Sequence, residues 1–363
     1  MEKQPQKSAL KVNEGIEQPP SINPNLTGKG IVKRKPLLSA ESYVEGILRA
    51  DRAILSQAIT LIESQLHKDQ QLAQEIIAQC LPHSGNSFRI GITGVPGVGK
   101  SSFIESVGGE LTKAGRKLAI LAIDPSSERS KGSILGDKTR METLANDVNA
   151  FIRPSPSAGT LGGVARKTRE IMVVCEAAGF DTIFIETVGV GQSEIAVHSM
   201  VDFFLLLMLA GAGDELQGIK RGIMEMADLI AITKADGDNI LASERAKNEY
   251  KNALHLFPPA ESGWSADVLT ISSQEKKGLH ELWDKISAFT QKVKQNGYFE
   301  KKRALQLKAW MNETIKENLE RNFYAHQGIQ SDIQDCEDQV TEGQLSPSLP
   351  LKNSSTSTSI PNN

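Results

Sequence analysis

Residues 94–101 combine residue types and a spacing that suit the binding of phosphate. They read Gly-Val-Pro-Gly-Val-Gly-Lys-Ser and fit the pattern G-x-x-x-x-G-K-[ST]. Glycines without a Cβ let the backbone turn sharply, so that its amides face an anion at the start of the next helix. The lysine can bridge phosphate oxygens, and the first serine can ligate Mg²⁺. The expected nucleotide contacts are Gly94, Val95, Pro96, Gly97, Val98, Gly99, Lys100, Ser101 and Ser102.

The neighbours of this loop support its interpretation as a phosphate-binding loop. Residues 88–93 are apolar enough for a buried strand, and residues 102–107 open a helical pattern. The motif requires this order of strand, loop and helix. We therefore predict a true nucleotide site rather than a glycine-rich turn without function.

Three carboxylates follow apolar segments that we interpret as strands or their loops. Asp124 ends the run 118–123, Asp137 lies in the loop 132–138, and Glu186 ends the run 182–185. Acids near a phosphate repel it unless a cation lies between them, and the waters of a bound Mg²⁺ need acceptors. We predict that these three residues and Ser101 serve the metal, and that the acids act with Lys100 in catalysis. The alternative is an N-cap or turn role for each acid.

The segment Glu186-Thr-Val-Gly189 has the form of a γ-phosphate sensor. Gly189 can offer its amide to that phosphate, and such a loop relaxes when the phosphate leaves. Ras-like proteins place a glutamine soon after this glycine to orient water. Here Val190 follows, and the candidate catalytic glutamine is Gln192. We therefore expect slow intrinsic hydrolysis that a partner completes.

The segment Thr233-Lys-Ala-Asp236 has the [NT]-K-x-D form of guanine-specific proteins. The Asp236 carboxylate can accept from both N1–H and N2–H₂ of guanine, whereas adenine lacks both donors. The stem of Lys234 can lie along the base. The residues expected to close over the base are Ser272, Ser273 and Gln274. The pattern favours GTP over ATP.

The elements that position these residues alternate between short apolar runs and longer amphipathic segments. Predicted strands are 88–93, 118–123, 149–152, 182–186, 202–209, 228–232 and 268–271. Predicted helices are 100–114, 163–178, 215–227, 240–256 and 279–294. We predict an α/β fold with a doubly wound, mostly parallel sheet, in which ligands bind at the carboxyl ends of the strands.

Helical patterns flank this predicted domain. Residues 39–81 predict two or three helices that start with a capping box at Ser42 and Glu45, and we interpret them as a structural cap. Residues 301–326 predict a long helix, with a weaker extension over 327–345. The predicted organisation is a disordered extension at 1–37, an N-terminal helical segment at 38–85, a nucleotide-binding domain at 86–298, a C-terminal helical arm at 299–345 and a disordered tail at 346–363.

Composition narrows the functional classes. The 363-residue chain has a formal net charge of −3, which argues against nucleic acid or an acidic membrane surface as partner. The cysteines Cys80, Cys175 and Cys336 lie too far apart for a metal motif or a disulfide framework. The apolar run 203–210 is too short to span a bilayer, and the N-terminus lacks the features of a secretory signal. The cytoplasm is the expected location.

Together these motifs resemble the MeaB/MMAA family, GTPases that act as chaperones of adenosylcobalamin-dependent methylmalonyl-CoA mutase. The resemblance covers about residues 40–345. The motifs that carry it are the phosphate loop 94–102, Ile-Asp-Pro-Ser-Ser at 123–127, Gly-Ser-Ile-Leu-Gly-Asp-Lys-Thr-Arg-Met at 132–141, Arg-Pro-Ser-Pro-Ser at 153–157, Gly-Thr-Leu-Gly-Gly at 159–163, Ile-Glu-Thr-Val-Gly-Val-Gly-Gln-Ser-Glu at 185–194, Gly-Asp-Glu-Leu-Gln-Gly-Ile-Lys-Arg-Gly at 213–222 and Thr-Lys-Ala-Asp at 233–236.

The resemblance implies properties that the spacing alone does not. It implies gating of cofactor delivery to the mutase, protection of that enzyme, and a homodimer formed through the C-terminal arm. It also implies that 211–220, ending in Lys220, is a third mobile switch. The chain departs from the family at Ser130-Lys-Gly132, where a Gly-Gly pair is common, and in its Ser/Thr-rich tail.

Two other classes of function start from the same loop. A small-molecule or protein kinase needs an acceptor site, for which the sequence offers no motif. A nickel or zinc insertase needs clustered Cys and His ligands, and the histidines of this chain are scattered. The sequence leaves the client open between methylmalonyl-CoA and isobutyryl-CoA mutases.

Overall fold

The structure is a computed structural model that describes residues 37–124, 141–156, 161–187, 193–211, 221–326 and 328–348. The compact unit that contains the features below begins at Ser39. The predicted disordered ends fall outside the described residues, apart from residue 37 and residues 346–348. Residues 125–140, 157–160, 188–192 and 212–220, which include several predicted site residues, also lie outside them.

A parallel sheet forms the centre of the described chain. Its strands are β1 Phe88–Gly94, β2 Leu118–Asp124, β3 Ala150–Pro156, β4 Thr182–Thr187, β5 Phe203–Leu209, β6 Leu229–Thr233 and β7 Asp267–Thr270. The strand order is β3-β2-β4-β1-β5-β6-β7, and every neighbouring pair is parallel. Strands β2 to β4 lie on one side of β1 and β5 to β7 on the other, which creates a crevice at the carboxyl end of β1. The predicted fold class is confirmed.

Helices cover the sheet and extend from it. They are α1 Ala40–Leu48, α2 Arg52–Glu63, α3 His67–Cys80, α4 Lys100–Lys113, α5 Glu142–Asn146, α6 Leu161–Ala177, α7 Ser193–His198, α8 Arg221–Met226, α9 Ile240–Leu254, α10 Leu279–Gln295, α11 Tyr298–Ala325 and α12 Ile329–Thr341, with 3₁₀ turns at Leu81–His83 and Gly237–Asn239. Side chains from α1 to α3 belong to the same apolar core as the sheet. Within the described residues, no helix is both long enough and apolar enough to cross a bilayer.

Strand β3 continues four residues beyond its predicted end at residue 152. It pairs with β2 as far as Asp124 opposite Pro156. Pro154 and Pro156 lack a backbone N–H, but β3 is an edge strand, so its outer side needs no ladder donors. The prediction stopped early because edge position is a property of the sheet and not of the segment.

The predicted C-terminal helix and its extension are two separate helices. Helix α11 ends at Ala325, and α12 begins at Ile329 after a break. Gly328 precedes α12 with φ at 95°, a left-handed conformation that turns the chain. The weaker extension predicted over 327–345 is thus a helix of its own, Ile329–Thr341.

The cap of the first helix also differs from the predicted capping box. Ser39 is the N-cap of α1, and its Oγ accepts the backbone N–H of Ser42 at 3.3 Å. Ser42 therefore lies inside the helix as the capped residue and not as the cap. The capping-box pattern thus predicts an N-cap three residues too late. Ser39 and Ser42 both satisfy the preference for serine at the N-cap, so the residue type alone does not distinguish them.

Polar contacts attach the N-terminal helices to the edge strand. Arg52 of α2 donates to the carbonyls of Asp147 and Ala150, at 3.0 and 2.6 Å. Arg153 of β3 forms an ion pair with Glu63, the last residue of α2. These contacts, with the shared apolar core, fix the three helices beside β3 and α6.

Helix α11 attaches to the sheet at the amino-terminal ends of the central strands β1 and β5. The guanidinium of Arg303 donates to both carboxylate oxygens of Asp202, at 2.5 and 2.6 Å, and to the carbonyl of Ser87 at 3.0 Å. Gln306 donates to the carbonyl of Val201 at 2.8 Å. No residue of α11 is fully buried, and three partly buried aromatic side chains of this helix add apolar contacts with the core.

Asp228, just before β6, gives a pH-dependent stability prediction. Its carboxylate accepts the N–H of Phe204 at 2.8 Å, and burial raises its pKa from 3.8 to about 6. A carboxyl group whose pKa rises on folding is penalised only when ionised, so this penalty grows as the pH rises from about 4 to about 6. We expect Asp228→Asn, which keeps an acceptor, to raise the free energy of unfolding by roughly 1–3 kcal/mol at pH 8 and by much less near pH 4.5.

Denaturant unfolding at the two pH values tests this expectation. Asp238→Asn is the control, because Asp238 is exposed and should give less than about 0.5 kcal/mol at either pH. An equal gain at both pH values would contradict the assignment to ionisation.

Candidate functional site

The loop between β1 and α4 has a backbone that only glycine tolerates at its first position. Gly94 has φ at 155°, and a Cβ there would lie 2.5 Å from the carbonyl oxygen of Leu207. Gly99, at the start of α4, has φ at 95°. The loop therefore lies at the carboxyl end of β1, beside β5, with its amides leading into the N-terminus of α4.

Lys100 is held inside this loop. Its Nζ donates to the carbonyls of Gly94 at 2.8 Å and Val95 at 3.4 Å, and the side chain is buried. Ser101 is half-buried in the first turn of α4, and Ser102 beside it is exposed. A compact cation fixed by loop carbonyls is suited to contact phosphate oxygens that enter the same loop.

The other residues of the loop are either buried in the core or exposed at its tip. Val95 and Val98 are buried in the apolar core, whereas Pro96 and Gly97 are exposed. The buried valines attach the loop to the core on both sides of its exposed tip. That tip is consequently presented to a ligand at the carboxyl edge of the sheet.

Two of the predicted acids lie on adjacent strands at this edge. Glu186 of β4 is 3% exposed and pairs in register with Ile92 of β1 and Ala122 of β2. Asp124 ends β2, but its side chain is not described. Because β2 and β4 are neighbours, the two backbones lie close together at this edge.

Several predicted site residues belong to parts of the chain that the structure does not describe. Asp137, Gly189, Gln192 and Lys220 lie outside the described residues. Within the described chain, no three His, Cys, Asp or Glu side chains cluster as a metal site. The oxygen donors that are described, the hydroxyl of Ser101 and the carboxylate of Glu186, are of the type that Mg²⁺ prefers. The predicted metal contacts stay predictions.

The guanine motif is connected directly to the phosphate loop. The hydroxyl of Thr233, at the end of β6, lies 2.7 Å from the carbonyl oxygen of Val98 and 3.2 Å from that of Met208. Lys234 follows in a left-handed conformation with φ at 56°. Sequence reasoning identified the motif but missed this connection, since nothing in the spacing shows which loop a strand-end threonine contacts.

The carboxylate of Asp236 is oriented by the loop after β7. Ser272 Oγ donates to Asp236 Oδ2 and accepts the backbone N–H of Glu275 at 3.0 Å. The carbonyl of Ser273 accepts from Ser106 Oγ of α4 at 3.2 Å, and Gln274 is exposed. The structure thus brings Asp236 together with Ser272 and Ser273, and it gives Ser272 an orienting contact that the sequence did not specify.

Sequence reasoning also missed Glu105 of α4. Its carboxylate accepts the backbone N–H groups of Thr143 and Leu144, at 2.8 and 3.3 Å, at the N-terminus of α5. Helix α5 has no side-chain cap of its own. Glu105 supplies that cap from another helix, and a partner 38 residues away leaves no local signal in the sequence.

Comparison with known proteins gives these features a family. The sequence profile described as "Methylmalonyl Co-A mutase-associated GTPase MeaB" matches residues 55–328. A Caulobacter vibrioides protein named as a GTPase is 50% identical over 310 residues, which cover 85% of this chain and 95% of that protein. The mouse protein "Methylmalonic aciduria type A homolog, mitochondrial" is 47% identical over 312 residues, covering 83% of this chain and 75% of that protein.

A solved structure agrees with these sequence relatives. The structure described as "LAO/AO transport system kinase" is 36% identical, with a TM-score of 0.69, and the match covers 88% of this chain and 98% of that one. The family match covers most of the described elements, including β1, α4 and the whole sheet. This chain therefore belongs to the MeaB family and is a P-loop GTPase that binds guanine nucleotide.

Proposed function

We propose that this GTPase is a chaperone of an adenosylcobalamin-dependent acyl-CoA mutase, with methylmalonyl-CoA mutase as the favoured client. In this role it gates the loading of the cofactor and protects or reactivates the mutase. The observation that carries the proposal is the match of residues 55–328 to a family described by its association with that mutase. The name of the mouse relative, which refers to methylmalonic aciduria, agrees with it.

In the proposed mechanism, residues of this chain bind the phosphates and select the base. Lys100, held by the Gly94 carbonyl at 2.8 Å, neutralises charge that develops on the β- and γ-phosphate oxygens. Asp236, oriented by Ser272, accepts the two donors of guanine. Gly189 and Gln192 are proposed to contact the γ-phosphate and the attacking water.

Mg²⁺ completes this site in the proposal. Ser101, Asp124, Asp137 and Glu186 would hold it, directly or through its waters. When bound, it would neutralise charge on the β- and γ-phosphate oxygens. The described part of the set, a hydroxyl in the first turn of α4 and a buried carboxylate at the end of β4, offers hard oxygen donors and so fits this ion.

The test is GTP hydrolysis by the purified protein, alone and with each candidate mutase. We expect slow turnover alone and a rise of at least about tenfold with the client, with ATP hardly used. Transfer of adenosylcobalamin to apo-mutase, followed by absorbance, should depend on GTP. A lack of response to both methylmalonyl-CoA and isobutyryl-CoA mutases would refute the chaperone proposal.

The name of the solved relative supplies the alternative, a kinase of a transport system. Labelled γ-phosphate separates the two functions. A GTPase chaperone releases the label as inorganic phosphate, whereas a kinase leaves it on an acceptor. Stable label on a candidate acceptor protein would favour the kinase.

A homodimer through the C-terminal arm is part of the proposal. Helix α11 carries large apolar side chains at every fourth position, Met311, Ile315, Leu319 and Phe323, and each is 40–65% exposed. Residues four apart share one face of a helix, so these four form a continuous apolar stripe. A second copy of the same helix would bury the stripe symmetrically.

The dimer proposal predicts the effect of a single charge on the stripe. We expect Leu319→Asp to weaken the dimer at least about hundredfold, because two-fold symmetry places an unpaired carboxylate in the interface twice. The molar mass measured by light scattering after size-exclusion chromatography should fall from twice the chain mass of 39.4 kDa to that mass. Glu320→Lys, at an exposed position of the same helix about 100° around its axis from Leu319, is the matched control. A wild-type protein that is monomeric would rule out the homodimer.

A further inference from the structure

A cavity of about 490 Å³ lies between α11 and the edge of the sheet where the strands begin. Its apolar walls include Val173 of α6, Met200 before β5 and Trp310 of α11. Arg89, the second residue of β1, also lines it, and the phosphate loop begins at Gly94, the last residue of that strand. Five residues of strand span roughly 16 Å, so the cavity is separate from the nucleotide site.

The charged residues of the cavity wall are mainly cations. Three arginines line it, Arg89, Arg169 and Arg303, against one acid, Glu300. Two of these arginines are paired behind the wall: Arg89 with Glu176 at 2.8 Å, and Arg303 with Asp202. Burial lowers the pKa of Arg89 in spite of its partner Glu176. The wall thus presents three guanidinium groups, of which those of Arg89 and Arg303 are already neutralised by buried carboxylates.

Arg169 is the arginine with spare capacity for an anion. Its side chain is only 4% exposed, yet its ion-pair partner Glu313 is 44% exposed and can return to solvent. Its remaining contact is a 2.9 Å hydrogen bond to Ser199 Oγ. Among the described residues, the buried Nε of Arg169 and the buried Oε1 of Gln306 have no hydrogen-bond partner. Both residues line the cavity, so a ligand or water that displaces their present neighbours there could supply partners for these two atoms.

We propose that this cavity binds a small organic anion with an apolar body. Its carboxylate, or a comparable group, is held by Arg169, and its apolar part lies against Val173, Met200 and Trp310. The volume is within the range of roughly 300–1,000 Å³ that is usual for small-molecule sites. A bound ligand contacts α6, the turn after α7 and α11 together, so it stabilises the attachment of the C-terminal helix to the core.

Isothermal titration calorimetry of the full-length protein with 2-naphthoate tests the proposal. The neutral 2-naphthamide is the matched probe, since it has the same body without the charge. We expect 2-naphthoate to bind with a Kd below about 1 mM and the amide to bind at least about tenfold more weakly. Absence of naphthoate binding, or equal binding of the amide, would overturn it.

Three variants test the location. Ala304→Trp fills the cavity from α11 and should weaken naphthoate binding at least about tenfold, whereas Ala309→Trp, on the same helix but outside the wall, should change it less than about twofold. Arg169→Met should reduce naphthoate binding to the level of the amide and leave the amide unchanged. Equal losses in both tryptophan variants would place the binding elsewhere. Circular dichroism tests whether each variant is folded. If Arg169→Met does not fold, the result with Ala304→Trp decides the outcome.

Discussion

Lys100→Ala is expected to lower kcat for GTP hydrolysis by at least about 10³-fold, because the site then loses the cation that we propose to face the transferring phosphate. Lys100 is the first residue of α4, and its Nζ lies 2.8 Å from the Gly94 carbonyl at the opposite end of the loop. The ammonium is thus fixed in the loop before nucleotide enters. Fixed charge stabilises a transition state without reorganisation, so kcat should fall more than KM rises.

Steady-state release of inorganic phosphate measures this effect, with nucleotide affinity determined separately. Lys113→Ala is the control, because Lys113 lies on the same helix, is exposed and only pairs with Glu110 at 3.5 Å. It should leave kcat unchanged. The alanine also removes two hydrogen bonds to loop carbonyls, so a loss of folding could mimic a loss of catalysis. The thermal midpoint of Lys100→Ala must therefore be measured and found close to that of the wild type. A folded Lys100→Ala protein with turnover within about tenfold of wild type would refute the proposed role.

Asp236→Asn is expected to weaken GTP binding at least about 10²-fold and to improve binding of xanthosine triphosphate. In the proposed contact the carboxylate accepts from both N1–H and N2–H₂ of guanine, whereas asparagine offers one acceptor and one donor. The donor then opposes the guanine amino group but suits the 2-oxo group of xanthine. The loss corresponds to roughly 3 kcal/mol, the cost of one unmade hydrogen bond and one donor facing another.

Fluorescent-nucleotide displacement with GTP, xanthosine triphosphate and ATP measures this exchange. Asp238→Asn, at an exposed position two residues away, should leave all three affinities unchanged. Ser272→Ala keeps the carboxylate but removes the hydroxyl that donates to it. We therefore expect a smaller loss of GTP affinity, about tenfold, without a gain in affinity for xanthosine triphosphate. If Asp236→Asn binds GTP as tightly as wild type, the residue does not read the base.

The sequence was most informative where the relevant physics is local. Glycines at 94, 97 and 99 followed by Lys100 predicted a phosphate loop, and the structure places these glycines in conformations with positive φ. The strands could be recognised because a sheet covered on both faces needs short, continuous apolar runs, as in β5 and β6. Each of these signals lies within about ten neighbouring residues.

Local signals failed where the answer depends on the rest of the chain. The strand predicted over 149–152 stops four residues before β3 does, because only the finished sheet shows that β3 is an edge, where its prolines are tolerated. Helix α5 escaped prediction because its cap, Glu105, comes from another helix. Helix α12 begins after Gly328, whose left-handed conformation a helical pattern does not reveal.

The sequence by itself therefore determined the fold class, the phosphate loop and the guanine motif, because each rests on residue types at short, fixed spacings. Tertiary structure alone decided that Thr233 contacts Val98, 135 residues away, and that Ser272 orients Asp236. It also decided that Arg169 meets Glu313 beside a cavity, across 144 residues. Such contacts depend on the order of strands and the packing of helices, and a side chain carries no local record of which distant partner that packing will bring to it.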